Sequence, residues 1–443
     1  MPKINLFQRL KHKITSQWRG EGSVNSIFRN MLYLATGTGL GRVIGFISTP
    51  IITRIYLPEH MGVLSVFTAL VTILVPFGTL RYTMAIPLPK NDGAATNLVV
   101  LCSVSILLVS VIVFLFFLLF AAPVLHLLSM EQLLPYWWLL PLAIAGGGFY
   151  ELLSNWAIRI KAFKPLAKTQ VWQSVLGHAT KIGLGFAGLK PLGLLIGHIL
   201  SKAGGVFTLL KNFQYKLKTN IKHTTRKRSL FLLNRYADFP KYRLVSQVIL
   251  TFGKNVPLLY FAWQFDTETA GHLGLAMMTV ALPMSLLGET TSKTFYGEIA
   301  KIGKNRPKDI YHITKSITKK LFLISLPPFL ILLLLGPSLF EFVFGENWRE
   351  AGVFASLLTI YLLLQFIYAP IANGVFNVFE KQSTVLSINL IRLIIILCGF
   401  AVSYLLEFGA FTSLLIYSIS LSIFYFSAII IIYTLLIKST KRT

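Results

Sequence analysis

Long apolar runs, broken by short polar connections, dominate the chain from residue 31 to residue 436. Each run spans about twenty residues with few charges, enough for a helix to cross a hydrocarbon core of ~30 Å. The pattern predicts twelve helices. Six lie at 31–53, 60–80, 94–120, 134–158, 169–189 and 191–212. Six more lie at 243–264, 270–292, 320–343, 351–376, 384–406 and 410–436. The expected fold is an all-α integral membrane protein, two six-helix halves around a central lumen.

Composition agrees: of 443 residues, 54% are hydrophobic and only 13% charged, about half the charged share of a soluble domain. A net charge of +26 on a soluble chain would suggest a nucleic-acid partner. Here the placement of the charges excludes that reading. Of 42 Lys and Arg residues, 34 fall in alternate connections, the helix ends beside them and the two tails, and three in the opposite set. The positive-inside rule then places both termini in the cytoplasm of a multi-pass protein. The dense run KLKTNIKHTTRKR at 216–228 is expected beside anionic lipid heads. Cys102 and Cys398 fall inside apolar spans, so no disulfide framework, metal site or cofactor is expected.

The basic connection divides the chain. The expected parts are a basic tail at 1–30, a half at 31–213, the connection at 214–242, a half at 243–437 and a tail at 438–443. PIITRIYLPEHMGVL at 50–64 aligns faintly with PLLYFAWQFDTETAGHL at 257–273, and Pro76 with Pro283. Such spacing preserves orientation, so the repeat is parallel, a common transporter plan with the site between the halves.

Five cations lie inside the spans away from their ends: Arg42, Lys181, Lys202, Lys254 and Arg392. Arg42 and Lys254 sit roughly 17–18 Å from the inner ends of their helices, near the midplane. A cation at a helix centre costs roughly 2.5–3.5 kcal/mol on insertion scales, so these must face protein or water. Polar residues share their faces. Thr38, Gly45 and Thr49 accompany Arg42; Gln247 and Thr251 accompany Lys254. Glu151, Asn155 and Arg159 form a stripe in the fourth span, and Gln365, Asn373 and Asn377 in the tenth. In the fifth, Gln170, Ser174 and Gly177 accompany Lys181, with His178 beside it. Glu151 and Glu289 are the interior acids, which leaves the cavity positive and suited to an anion. Plainer roles compete: Lys202 and Arg392 snorkelling to the interface, a Lys181–Glu151 ion pair, and His178 and His198 as packing residues. The glycines of GTGLGRVIGF at 37–46 serve close helix packing, since they do not fit G-x-G-x-x-G and no P-loop occurs.

Five stretches carry a family resemblance: STPIITRIYLPEHMGVLSVF at 48–67, LRYTMAIPLPKNDGAATNL at 80–98, NRYADFPKYRL at 234–244, LAMMTVALPMSLLGETTSKTFYGEIA at 275–300 and VFGENWREAG at 343–352. Together and in this order they resemble the polysaccharide transporter family of lipid-linked oligosaccharide flippases. That family lies within the multidrug/oligosaccharidyl-lipid/polysaccharide exporter superfamily. The resemblance implies a twelve-helix bundle with a V-shaped lumen. It also implies movement of a polyprenyl-diphosphate oligosaccharide to the outer leaflet for surface polysaccharide such as O-antigen or capsule. Arg81 matches the motif, at the cytoplasmic mouth. Thr83 stands where the pattern has an acid, and Glu289 where it has an amide.

The expected mechanism has Arg42 and Lys254, with Lys181 and Arg81, neutralising the diphosphate. Asn155, Gln247, Gln365 and Asn373 would take sugar hydroxyls, and Glu151 or Glu289 would couple an ion. Partners are the lipid-linked substrate, membrane lipids and polysaccharide assembly proteins; no catalytic residue is assigned. Two rival classes are a drug or organic-ion exporter, which calls for midplane acids, and a membrane polymerase or ligase. The latter needs a sizeable outer loop, whereas the longest here, near 121–134, has Glu131 as its only charge.

Overall fold

A helix is the only way for one apolar segment to satisfy its own backbone in lipid, and each predicted segment but the sixth folds as one. The computed structural model describes residues 23–441 apart from Lys90, Lys222, His223 and Glu380. At 23–35, 215–221, 226, 282–287, 289, 290, 293 and 382 the description covers the backbone alone. The expected N-terminal tail therefore lies largely outside the described residues, as do the side chain of Glu289 and most side chains of the basic run.

The first half comprises α1 (Ser23–Ile55), α2 (Pro58–Thr79), α3 (Asp92–Leu127), α4 (Leu139–Arg159), α5 (Phe163–Phe186), α6 (Leu192–Ala203) and α7 (Val206–Ile221). The sixth predicted segment is thus split between α6 and α7, at Gly204 and Gly205. A short connection helix, α8 (Arg226–Arg235), and a π-type turn at Phe239–Leu244 follow. The second half comprises α9 (Val245–Gln264), α10 (Thr267–Ile302), α11 (Pro307–Phe344), α12 (Arg349–Val378), α13 (Gln382–Leu405) and α14 (Ala410–Thr440).

Among the described residues, eight segments are long and apolar enough to cross a membrane. Helices α4 and α5 fall outside that group because they carry Glu151, Asn155, Gln170 and Lys181, polar residues that lower their hydropathy. By length and composition eight described segments could cross; the expected twelve does not follow from them alone. Burial sorts the helices into layers. The apolar stretches of α2 and of 346–378 are 56% buried, against 28% for α3 and 22% for α11. So α2 and α12 form the middle, while α3 and α11 present Leu107, Val111, Leu115, Leu330 and Leu334 outward. An exposed apolar surface of that extent suits lipid rather than water.

Local signals place the helix ends. Asn91 Oδ1 accepts from the Ala94 amide at 2.8 Å, and Asp266 Oδ1 from the Thr269 amide at 2.6 Å, capping α3 and α10. The connection helix is held to α3 by Asn97, whose Oδ1 accepts from the Thr225 amide and the Ser229 hydroxyl at 3.2 and 3.3 Å.

The two halves meet backbone to backbone. Any Cβ at Gly62 would overlap the Thr267 carbonyl, and any Cβ at Gly271 the Pro58 carbonyl. Pro58 and Thr267 stand 209 positions apart, as do Gly62 and Gly271, so the contact is reciprocal. The two segments are those whose faint similarity the sequence displayed. Around this seam, Trp348 Nε1 donates to the Thr53 carbonyl at 2.9 Å, and the Ser129 hydroxyl to the Trp263 carbonyl at 3.2 Å. A continuous apolar core, including Phe67, Phe261, Leu273 and Phe354, runs through both halves.

Gly62→Ala and Gly271→Ala should each destabilise the protein by about 1–3 kcal/mol, the usual cost of overpacking, read as a fall in thermal midpoint in detergent. Gly39→Ala, with nothing within 4 Å of the added carbon, should leave the midpoint unchanged or raise it, since alanine favours the helix by roughly 0.5–1 kcal/mol.

Candidate functional site

The glycines around Arg42 pack one helix on another. Gly37, Gly41 and Gly45 face Ala167, the Gln170–Ser174 turn and His178 of α5. The Ser174 hydroxyl donates to the Gly41 carbonyl at 2.7 Å and the Thr38 hydroxyl to Gln170 Oε1 at 2.9 Å. This places Arg42 beside α5 with its side chain half-buried. Helix α5 packs on α6 the same way: the Lys181 stem crosses Gly197, where no side chain would fit. Tyr56 Oη donates to the Lys181 carbonyl at 2.7 Å, fixing that turn. Arg42, Lys202 and Lys181 are consecutive electrostatic neighbours. His178 accompanies them, and the buried His198 meets the Phe67 ring edge-on at 6.1 Å. The first half thus gathers three cations.

At the 80–92 end of the same half, the interior acid is already engaged. Arg81 Nη1 lies 3.2 Å from Glu151 Oε1, and the Thr83 hydroxyl donates to the same oxygen at 2.6 Å. Asn155 Nδ2 donates to the Glu151 carbonyl at 2.9 Å. Leu80 and Arg81 both adopt left-handed backbone, at φ 46° and 58°, unusual for residues with side chains. That turn reverses the chain after α2 and aims Arg81 at α4. Arg81 Nε is buried and has no hydrogen-bond partner. The Lys181–Glu151 ion pair considered from the sequence is not what forms: Arg81 takes the carboxylate. Thr83, where the resemblance implies an acid, meets the carboxylate of Glu151 from α4 through its hydroxyl. Arg159 is a staple for the neighbouring loop, meeting Asp92 at 2.8 Å and the Pro89 carbonyl at 2.7 Å.

The second half contains a cavity of about 550 Å³, lined by α9, α10, α12, α13 and α14. Lys254, Gln365 and Asn373, all expected from the sequence, line it together with Arg392. Asn373 Nδ2 donates to Ser292 Oγ at 2.8 Å, which sets the amide's orientation on the wall. Gln247 donates to Thr251 Oγ1 at 3.0 Å in the same helix and is not part of the lining. Sequence reasoning missed the tyrosines. Tyr361, Tyr417 and Tyr425 line the cavity, and Arg392 Nη1 donates to Tyr425 Oη at 3.3 Å. Aromatic residues inside apolar spans look like packing in a sequence. The one available signal was that three of them share the chain's last membrane-sized segments with Arg392.

The structure therefore groups the cations by half. Arg42, Lys181 and Lys202 form one set, Lys254 and Arg392 the other, each beside polar side chains suited to hydroxylated ligands.

Comparison with known proteins gives these features a setting. Residues 51–353 match the profile of a family described as polysaccharide biosynthesis protein. The teichuronic acid biosynthesis protein TuaB of Bacillus subtilis strain 168 is 24% identical over 139 residues, 31% of this chain; the match spans 28% of that relative's length. Two solved structures share the fold. An inward-facing multidrug resistance MATE transporter of the MOP superfamily superposes with TM-score 0.70 at 13% identity, over 90% of this chain and 96% of its own. The lipid II flippase MurJ, inward closed, gives 0.69 at 14% identity, over 93% and 91%. The profile covers more than half of the chain, which belongs to the polysaccharide biosynthesis protein family.

Proposed function

We propose that the protein is a flippase that carries a polyprenyl-diphosphate-linked oligosaccharide from the inner to the outer leaflet by alternating access, for O-antigen-like or capsule-like surface polysaccharide. One observation carries this reading: the interior holds cations from both halves, while Glu151, its described acid, is already taken by Arg81. A positive, polar interior solves the physical problem of flipping, which is to take two phosphates and a hydrated saccharide past hydrocarbon. Arginine contributes charge-assisted, fork-shaped hydrogen bonds to phosphate, and lysine a point charge. In this reading Arg42 and Lys181 receive the diphosphate, and Lys254 adds positive charge from the other half. Arg81 stands at the entrance, and Asn155, Gln365 and Asn373 offer amides to the sugar. The prenyl tail stays in lipid.

The units that move are the halves at 31–213 and 243–437, joined by 214–242, with tails at 1–30 and 438–443. The reading takes twelve crossings in a bacterial inner membrane, and the charge pattern supports cytoplasmic termini. The glycine seam then lies at the outer end, and its position supports an inward-facing state. Rocking about it exposes the site to each leaflet in turn. The likeness to a multidrug transporter favours an exporter as second reading, but a cationic drug would meet a cationic interior.

Loss of one partner of a charge pair that becomes buried with the bound substrate costs roughly 2–5 kcal/mol. Arg42→Gln and Lys254→Gln should each slow flipping in proteoliposomes at least about tenfold, and the double variant further, at normal abundance and thermal midpoint. Normal rates in the double variant would reject the mechanism. An imposed proton or sodium gradient should accelerate the wild-type protein and not Glu151→Gln; equal acceleration in both removes Glu151 from the coupling. With Cys102 and Cys398 replaced, Ser129→Cys should label from outside the cell and Lys164→Cys only after permeabilisation. The reverse pattern would invert the topology.

A further inference from the structure

The cavity of the second half has a chemistry of its own. Among the described residues, its lining includes two cations, Lys254 and Arg392, and no carboxylate. The two are electrostatic neighbours. Lys254 is exposed to this space and has no hydrogen-bond or ion-pair partner among the described residues. Arg392 is fixed at one end by Tyr425, its only such partner among them, so most of its five donors remain for a ligand. Two like charges held together in a mostly apolar surround are costly unless an anion bridges them.

Around the cations stands a second ring of groups that a bare anion would not need. Tyr361, Tyr417 and Tyr425 bring hydroxyls, and Gln365 and Asn373 bring amides. The tyrosines are held by their own packing. Tyr361 stacks on Tyr425 at 6.4 Å and 12°, and Tyr417 on Phe400 at 5.3 Å and 14°. Such side chains present fixed hydrogen-bonding tips at low entropic cost. Leu362 and Ile396 give the wall an apolar patch, which suits the C–H face of a sugar ring. The volume falls within the ~300–1,000 Å³ of ordinary ligand pockets.

We infer that this cavity is a subsite for an acidic sugar of the carried saccharide, its carboxylate held between Arg392 and Lys254 and its hydroxyls by Tyr361, Tyr417, Gln365 and Asn373. The inference rests on the flippase reading and adds substrate selectivity to it. Arg392 is the specificity-determining residue, and Tyr425 positions its guanidinium. The diphosphate remains with the cations that α1 and α5 bring together.

The test is equilibrium binding of two labelled polyprenyl diphosphate disaccharides to the full chain in lipid nanodiscs, one glucosyl-glucuronate and one glucosyl-glucose. The wild type should bind the acidic carrier at least about tenfold more tightly, which is ~1.4 kcal/mol. Arg392→Gln and Tyr425→Phe should bring that ratio towards one, while Arg392→Lys keeps most of it. Equal wild-type affinities would overturn the subsite. So would an equal loss of both carriers in Arg392→Gln, which marks a diphosphate site. Flipping is measured separately in vesicles: movement of neither carrier rejects the flippase reading, while the binding ratio still decides the subsite.

Discussion

Two helices of different halves touch through their backbones, and the rest of the architecture depends on that contact. Gly62 and Gly271 leave no room for a side chain against Thr267 and Pro58. The reciprocity means each half offers the other the same surface, as a two-fold relation between repeats requires. Small residues at a crossing let van der Waals contact replace the hydrophobic driving force that lipid cannot supply. The hydrogen bonds from Trp348 and Ser129 to carbonyls of the other half gather near the same ends. A close seam at one end of long helices fixes how their remaining lengths face each other, and the interior cations lie along those lengths.

A cation inside a membrane-sized apolar segment is costly, and the fold relieves that cost differently in each half. In the first, glycine-lined crossings between α1, α5 and α6 bring Arg42, Lys181 and Lys202 close together and give the Lys181 stem a path over Gly197. In the second, the cations open into a cavity walled by tyrosines. Glu151 lies apart from both groups, held by Arg81 and Thr83 at the turn after α2. Acid and base are thus sorted along the lumen, with the one described interior carboxylate kept near a left-handed turn that only local constraint sustains.

The residues with chemistry were legible to different degrees. Lys254, Gln365 and Asn373 were found by depth and helical spacing, because both quantities are written in one dimension, and they share a cavity. Gln247 lay on the same stripe but two turns from Lys254, and it spends its amide on Thr251. Arg81 was matched by motif, yet its partner Glu151 comes from a helix 70 positions away. No local rule pairs them. Tyr361, Tyr417 and Tyr425 were hidden because a tyrosine in an apolar span has the same pattern whether it fills a core or lines a pocket.

By itself the sequence determined where the helices run, that the chain belongs in a membrane, and the positive sign of its interior. Hydropathy, helical period and the cost of buried charge act on neighbours in the chain, so they can be read without coordinates. Only the tertiary structure decided which cations stand together, which carboxylate Arg81 takes, and that tyrosines surround Arg392. Those outcomes depend on how helices distant in sequence cross, and crossing is settled by side-chain volume at contacts such as Gly62 on Thr267 and Gly197 on Lys181. A missing methyl group there moves a whole helix, and hydropathy hardly registers it.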